Sequence, residues 1–292
     1  MRRFSLLLGA LALSASASVA AEVAEPTPVV HLGVVTDGEA PRTEPIADRF
    51  RQEVRDLLEG EFEVEETLAV ADWTVPGVRS AVDRLLDDPA IDVVLAAGFM
   101  ASDEVCRRDT LSKPVIAPYV LDASIQGCPL SKGTSGQTTL VYATYPPSFV
   151  SDIRIFHSIV PFERLGVVSP APRGGTADVV PARLAEAGTA VGAEIVSVAA
   201  GTDAATTLEA IPSDVDAVYF TPLVRLDDEA IRELAAGLIE RRIPAFSGFS
   251  TRDVELGMLA TNSPDADLGR LARRTALNLQ RILLGEPAGT LP

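Results

Sequence analysis

Residues able to hold a small molecule gather where strand-forming runs of this chain end. Thr36 and Asp37, Phe99 and Met100, and Tyr119 take such positions in the first part of the sequence, and Ser169, Thr221, Phe246 and Phe249 in the second. Open α/β sheets bind ligands outside the carboxyl ends of their strands. Aromatic walls with a few hydroxyls and one carboxylate suit a small organic molecule. The same positions also fit a scaffold role, because loops at strand ends need caps and turns.

Motifs that would carry catalysis are missing. The sequence has no H-E-x-x-H, G-x-S-x-G or G-x-x-x-x-G-K-[ST], and no G-x-G-x-x-G after a strand, which counts against hydrolase, kinase and dinucleotide-binding readings. His31 lies within the first strand and His157 within an apolar helix, where both read as packed or surface histidines. The acidic pairs Asp227-Asp228 and Glu65-Glu66 read as solvated faces or helix-start charges. Cys106 and Cys128 lack metal-ligand spacing, and only the two histidines could assist them. The expectation is therefore a non-enzyme with no catalytic residue, metal or cofactor.

Compartment and charge narrow the class. Arg2 and Arg3, the apolar stretch Leu6 to Leu13 and the small residues Ser18-Val19-Ala20 have the pattern of a cleaved secretory leader ending near Ala20 or Ala21. The apolar stretch is short of the roughly 20 residues of a spanning helix. An exported, periplasmic chain is expected. In that oxidising setting an even pair of cysteines favours a Cys106–Cys128 disulfide, about 3 kcal/mol in the chain-entropy model, over two buried thiols. The 41 acidic against 25 basic residues give a formal net charge of -16, which would be repelled by phosphate backbones and anionic lipid surfaces, so nucleic acid is excluded as partner. The 292 residues, 47% of them hydrophobic, supply material for two cores.

The positioning elements follow from periodicity. Val29 to Val35 is a continuous apolar run, and Glu44 to Leu58 carries helical spacing through Ile46, Phe50, Val54 and Leu57. Phe62 to Val70, Val78 to Leu86, Ile91 to Ala97 and Val115 to Leu121 continue the strand and helix series. Strands buried on both faces and separated by helices imply a doubly wound parallel sheet. The polar stretch Ser131 to Thr139 leads into Leu140 to Pro147 and reads as the approach to a crossover between lobes. The series then restarts with Leu165 to Val168, Ala177 to Ala190, Glu194 to Val198, Ala217 to Thr221, Glu229 to Ile239, Ile243 to Phe246 and Met258 to Ala260. A long helix, Ala266 to Leu284, closes it, with acids at its start and Gly285 and Pro287 at its end. Two doubly wound α/β lobes are expected, one from 28–143 plus 263–286 and the other from 144–262 plus 287–292.

Several segments resemble a known family. Val218-Tyr219-Phe220-Thr221-Pro222, the helix Asp227 to Arg242, Ile243 to Gly248, Glu255 to Ala260 and Leu268-Gly269-Arg270 through Glu286 are similar to the second half of periplasmic substrate-binding proteins of ABC transporters. Within these, the chain resembles the family with aromatic-amino-acid-binding members and a type I periplasmic-binding-protein fold. Asp92 to Gly98 and Val120-Leu121-Asp122 fit the first half. The resemblance implies a protein, expected to be monomeric, that closes two lobes over a small-molecule ligand and presents it to an inner-membrane ABC permease. It places Asp37, Thr144 and Thr221 as hydrogen-bonding groups and Phe99, Tyr119 and Phe249 as walls. Two departures stand out. Pro222-Leu223 follow Thr221 where members commonly carry polar residues that would meet an amino-acid ammonium. The chain also stops at Pro292, where members usually continue through one more strand, which reads as a shortened member or an incomplete frame. A sensory or accessory domain of the same fold, acting through a protein partner, is the alternative.

Overall fold

The structure is a computed structural model that describes residues 27–120, 123, 126–144, 149–170 and 179–292. The leader, Leu121, Asp122, Tyr145 to Pro147 and the start of the Ala177 helix lie outside the described residues.

The first lobe is built from β1 (Val29–Thr36), α1 (Glu44–Leu58), β2 (Glu63–Val70), α2 (Val75–Asp87), β3 (Val93–Ala96), α3 (Phe99–Cys106), β4 (Val115–Val120) and β5 (Leu140–Thr144). Its five strands are parallel, in the order β2-β1-β3-β4-β5. The second lobe comprises α4 (Phe149–Ile159), β6 (Arg164–Ser169), α5 (Val179–Val191), β7 (Glu194–Ala199), α6 (Ala204–Ala210), β8 (Ala217–Phe220), α7 (Asp228–Glu240), β9 (Ala245–Ser247), α8 (Thr251–Glu255) and β10 (Ala260–Thr261). Its parallel order, β10-β9-β8-β6-β7, repeats the first sheet's pattern. The long helix α9 (Asp265–Leu283) then returns to the first lobe and packs on α1.

Each sheet is covered on both faces, which is why the central strands read as unbroken apolar runs. In the first lobe Val35, Val94 and Ala117 face α2 and α3, while Leu32, Leu95 and Ile116 face α1 and α9. Val168, Val218 and Phe220 pack toward α6 and α7, and Leu165, Tyr219 and Phe246 toward α4 and α5.

The polar stretch Ser131 to Thr139 lies in the first lobe, where Gln137 donates to the Arg108 and Asp109 carbonyls, and it leads through β5, the edge strand of that sheet, toward the second lobe. One expectation changes. The closing residues 287–292 also belong to the first lobe: Ala288 and Leu291 are buried in the core beneath α9, and the Gly289 backbone lies against Gln137. The apolar Leu291 drives that placement, since the α1/α9 face offers it an adjacent core. The Cys106–Cys128 disulfide is present, joining the end of α3 to the segment before β5 with 4.4 Å between Cα atoms.

Candidate functional site

Loops that follow strands of one sheet touch loops that follow strands of the other, so the carboxyl edges of the two sheets face each other across a seam. Arg42, in the turn between β1 and α1, provides the main contact. Its Nη2 hydrogen-bonds Oδ1 of Asp253 on α8, its Nε lies 3.7 Å from Oδ1 of Asp228, and its guanidinium sits 4.8 Å over the Phe249 ring. The Arg42 side chain is only 7% exposed. A second contact sets Arg225, after β8, 6.0 Å from the ring of Trp73, after β2.

The second lobe prepares its side of this seam. Ser247 ends β9, donates 2.5 Å to Oδ2 of Asp253 and accepts from the Phe249 amide at 3.0 Å. Asp253 is thereby fixed with one oxygen toward its own lobe and the other toward Arg42. Asp228 is held from its other side by Arg252 at 2.8 Å. A buried cation held this way is favourable only while its carboxylate partner remains, because an unpaired buried charge is strongly penalised.

Asp37 sits deeper. It is buried, and its carboxylate accepts from the Met100 and Ala101 amides at 2.9 and 2.8 Å, so it caps the first turn of α3. Burial pushes its pKa up to about 6, against the lowering effect of those amide hydrogen bonds. Gly98 is required beside it: a Cβ there would lie 2.2 Å from Asp37 Oδ1. Both oxygens are thus taken up by the scaffold that orients Phe99 and Met100.

The other sequence-derived positions divide between seam and core. Thr36 ends β1 and lines an open groove of about 420 Å³ with Gly38, Pro41, Ala47 and Val70. Phe99 is exposed at the start of α3, Met100 packs partly into the first lobe's core, and Thr144 is exposed where the chain leaves β5. Tyr119 leans its ring on Phe50, 5.4 Å between centroids, as part of the α1 core. Ser169 is half-buried at the end of β6, and Thr221 donates its hydroxyl to the Val168 carbonyl at 3.2 Å. Phe246 is a correction. It is fully buried between Phe156 and Tyr219, with centroids 5.1 and 5.8 Å away, because its place in the short β9 turns it into the sheet's α4 face. Phe249 makes a contact across the seam, with Arg42. Arg42, Asp253 and Arg225 were not singled out by sequence, and Asp228 was read with Asp227 as a solvated face or helix-start charge. Their signal was position, in or just after the loops that follow β1, β9 and β8, but charged residues beside helix starts look like solvated surface.

Beneath the second lobe's edge lies a buried carboxylate at the crossovers. Asp152, in the first turn of α4, accepts from Tyr219 Oη at 2.8 Å and from Asn262 Nδ2 at 3.1 Å. Asn262 belongs to the link between β10 and α9, so this group ties the segment entering the second lobe to the segment leaving it. Burial raises the Asp152 pKa, opposed by those two hydrogen bonds, and raises the Tyr219 phenol well above its ordinary range. No cluster of potential metal ligands occurs among the described residues.

No family model and no curated protein matches the sequence. Solved structures do match. A conserved domain protein from Vibrio cholerae is 18% identical, with a TM-score of 0.68 over 90% of this chain and 87% of its own. A Streptococcus pneumoniae structure described as an ABC domain in complex with L-Trp is 16% identical, TM-score 0.67, covering 90% and 88%. A leucine-binding protein from Thermotoga maritima is 12% identical, TM-score 0.60, covering 87% and 83%. At these identities the likeness is one of fold, and the fold is that of type I periplasmic-binding proteins.

Proposed function

We propose that this chain is the solute-binding component of an ABC transporter, exported to the periplasm, which captures a small organic molecule between its lobes and delivers it to an inner-membrane permease. The observation that carries this reading is the seam itself. Two sheets of the same topology turn their carboxyl edges toward each other and are bridged there by Arg42, Asp253 and Phe249. Such an edge is where open α/β sheets take ligands, and joining segments with an internal tie at Asp152 suit a hinge. Neighbours of the same fold described as bound to L-Trp or as leucine-binding favour an amino-acid-like or related organic solute. Delivery requires no bond to be made or broken.

A thermal-shift screen of the mature protein against amino acids, short organic acids, sugars and purines tests this. A solute at 100 times its dissociation constant should add about 2.7 kcal/mol of stability. A saturable shift for one class is expected, together with a smaller radius of gyration in solution scattering. No shift across the panel, with the protein folded, would favour the second reading, a sensory or accessory domain acting through a protein partner. The observation on that side is that the chain's own Arg42 and Asp253 already join the lobes.

A further inference from the structure

We propose that Arg42 is the carboxylate-recognition residue of the interlobe site, with Nη1 donating to an oxygen of a carboxylate-bearing solute. The inference deepens the solute-capture reading and rests on it. Two corners of the guanidinium plane are directed at the second lobe, Nη2 at Asp253 and Nε at Asp228. The third, Nη1, is buried and has no hydrogen-bond partner among the described residues. A side chain this deeply covered does not ordinarily leave a donor unmatched, because buried polar groups are almost always hydrogen-bonded. In the facing loop, next to Phe249, the Ser250 hydroxyl is likewise buried and unpartnered. Two unmatched groups, one from each lobe, thus belong to the loops that make the Arg42–Phe249 contact.

Chemistry selects the ligand class. Arginine offers only donors, so an ammonium cannot satisfy Nη1, whereas a carboxylate forms a charge-assisted hydrogen bond stronger than that of a neutral carbonyl. The surroundings tolerate one negative charge and not two. Arg42 and Arg252 are paired with Asp228, Asp253 and the more exposed Glu255, and Arg225 adds a cation over the Trp73 ring, so basic residues gather at this seam although the whole chain carries -16. A doubly charged phosphate would meet Asp228 and Asp253 at close range. The Phe249 ring beneath the guanidinium adds an apolar wall beside the anion site.

The test is calorimetric titration of the full chain with matched acids and amides: L-leucine and L-leucinamide, L-tryptophan and L-tryptophanamide, benzoate and benzamide. At least one acid should bind about tenfold or more tightly than its amide, the scale of one charge-assisted hydrogen bond. Arg42→Met should bring that ratio to about one, and Arg42→Lys should restore part of it. Loss of the bridge to Asp253 would weaken acid and amide alike, so the ratio separates ligand contact from lobe closure. Circular dichroism verifies that both variants fold. Equal binding of acid and amide, an unchanged ratio in Arg42→Met, or binding only of neutral or cationic solutes in the wider screen would overturn the assignment and leave solute capture standing. Binding of no solute of any class would overturn both.

Discussion

The Arg42–Asp253 pair joins parts of the protein that can separate, so its removal should register differently from that of an ordinary buried pair. Breaking a pair locked inside one core costs about 3–5 kcal/mol, because the remaining charge stays dry. Here the lobes can part and let water reach Arg42. Asp253→Asn should therefore enlarge the radius of gyration in scattering while shifting the denaturation midpoint of either lobe little; an unchanged radius with a large loss of stability would mean that the seam does not open. Asp37 makes the opposite case, a carboxylate committed to its own lobe. Its pKa, lifted to about 6 by burial, means that the folded state holds this proton more tightly than the unfolded chain does. The site's contribution is complete below about pH 4 and is lost as pH rises through about 6. Asp37→Asn keeps an acceptor for α3 without the ionisation. Urea denaturation at intervals from pH 4 to pH 7 should show the variant gaining on the native protein as pH rises.

Helices and strands were legible where their apolar pattern was strong. Helix α1 spans the predicted Glu44 to Leu58 because Ala47, Phe50, Val54 and Leu58 form one buried stripe. The predicted Ile243 to Phe246 strand moves to Ala245–Ser247, since Pro244 has no amide to donate to a ladder. Helix α6 went unread, having seven residues and being marked chiefly by its capping box of Asp203 and Thr206. Helix α8, at five residues, is too short to show a period, and it carries Asp253. The site was legible as a set of strand ends but not as side-chain directions: Phe246 and Phe249 look equivalent in sequence, yet one enters the core and the other meets Arg42. The Cys106–Cys128 bond pins the end of α3 across 22 residues of sequence. Replacing both cysteines by serine should lower first-lobe stability by about 3 kcal/mol in the chain-entropy model, measured by chemical denaturation, with little change in the second lobe.

Across the whole molecule, the two lobes share a topology but differ in how the chain composes them. The second lobe is one continuous stretch, whereas the first takes its final helix and tail from residues beyond it. The two links meet at Asp152 through Asn262. Asn262→Ala removes one donor from a buried carboxylate and should destabilise the second lobe by about 1–3 kcal/mol, read as an earlier second-lobe transition in calorimetry.

The tail that seats Ala288 and Leu291 under α9 has a further consequence, for the order of folding. The first lobe's α1 face cannot be completed until residues 271–291 are available, because Leu271, Ala276, Leu279 and Leu291 all come from beyond the second lobe. The second lobe holds all its strands by Thr261 and can finish earlier. Domains usually fold in the order in which they are made; this chain is arranged to reverse that order, keeping the lobe that begins first open until the segment after the second lobe has been made.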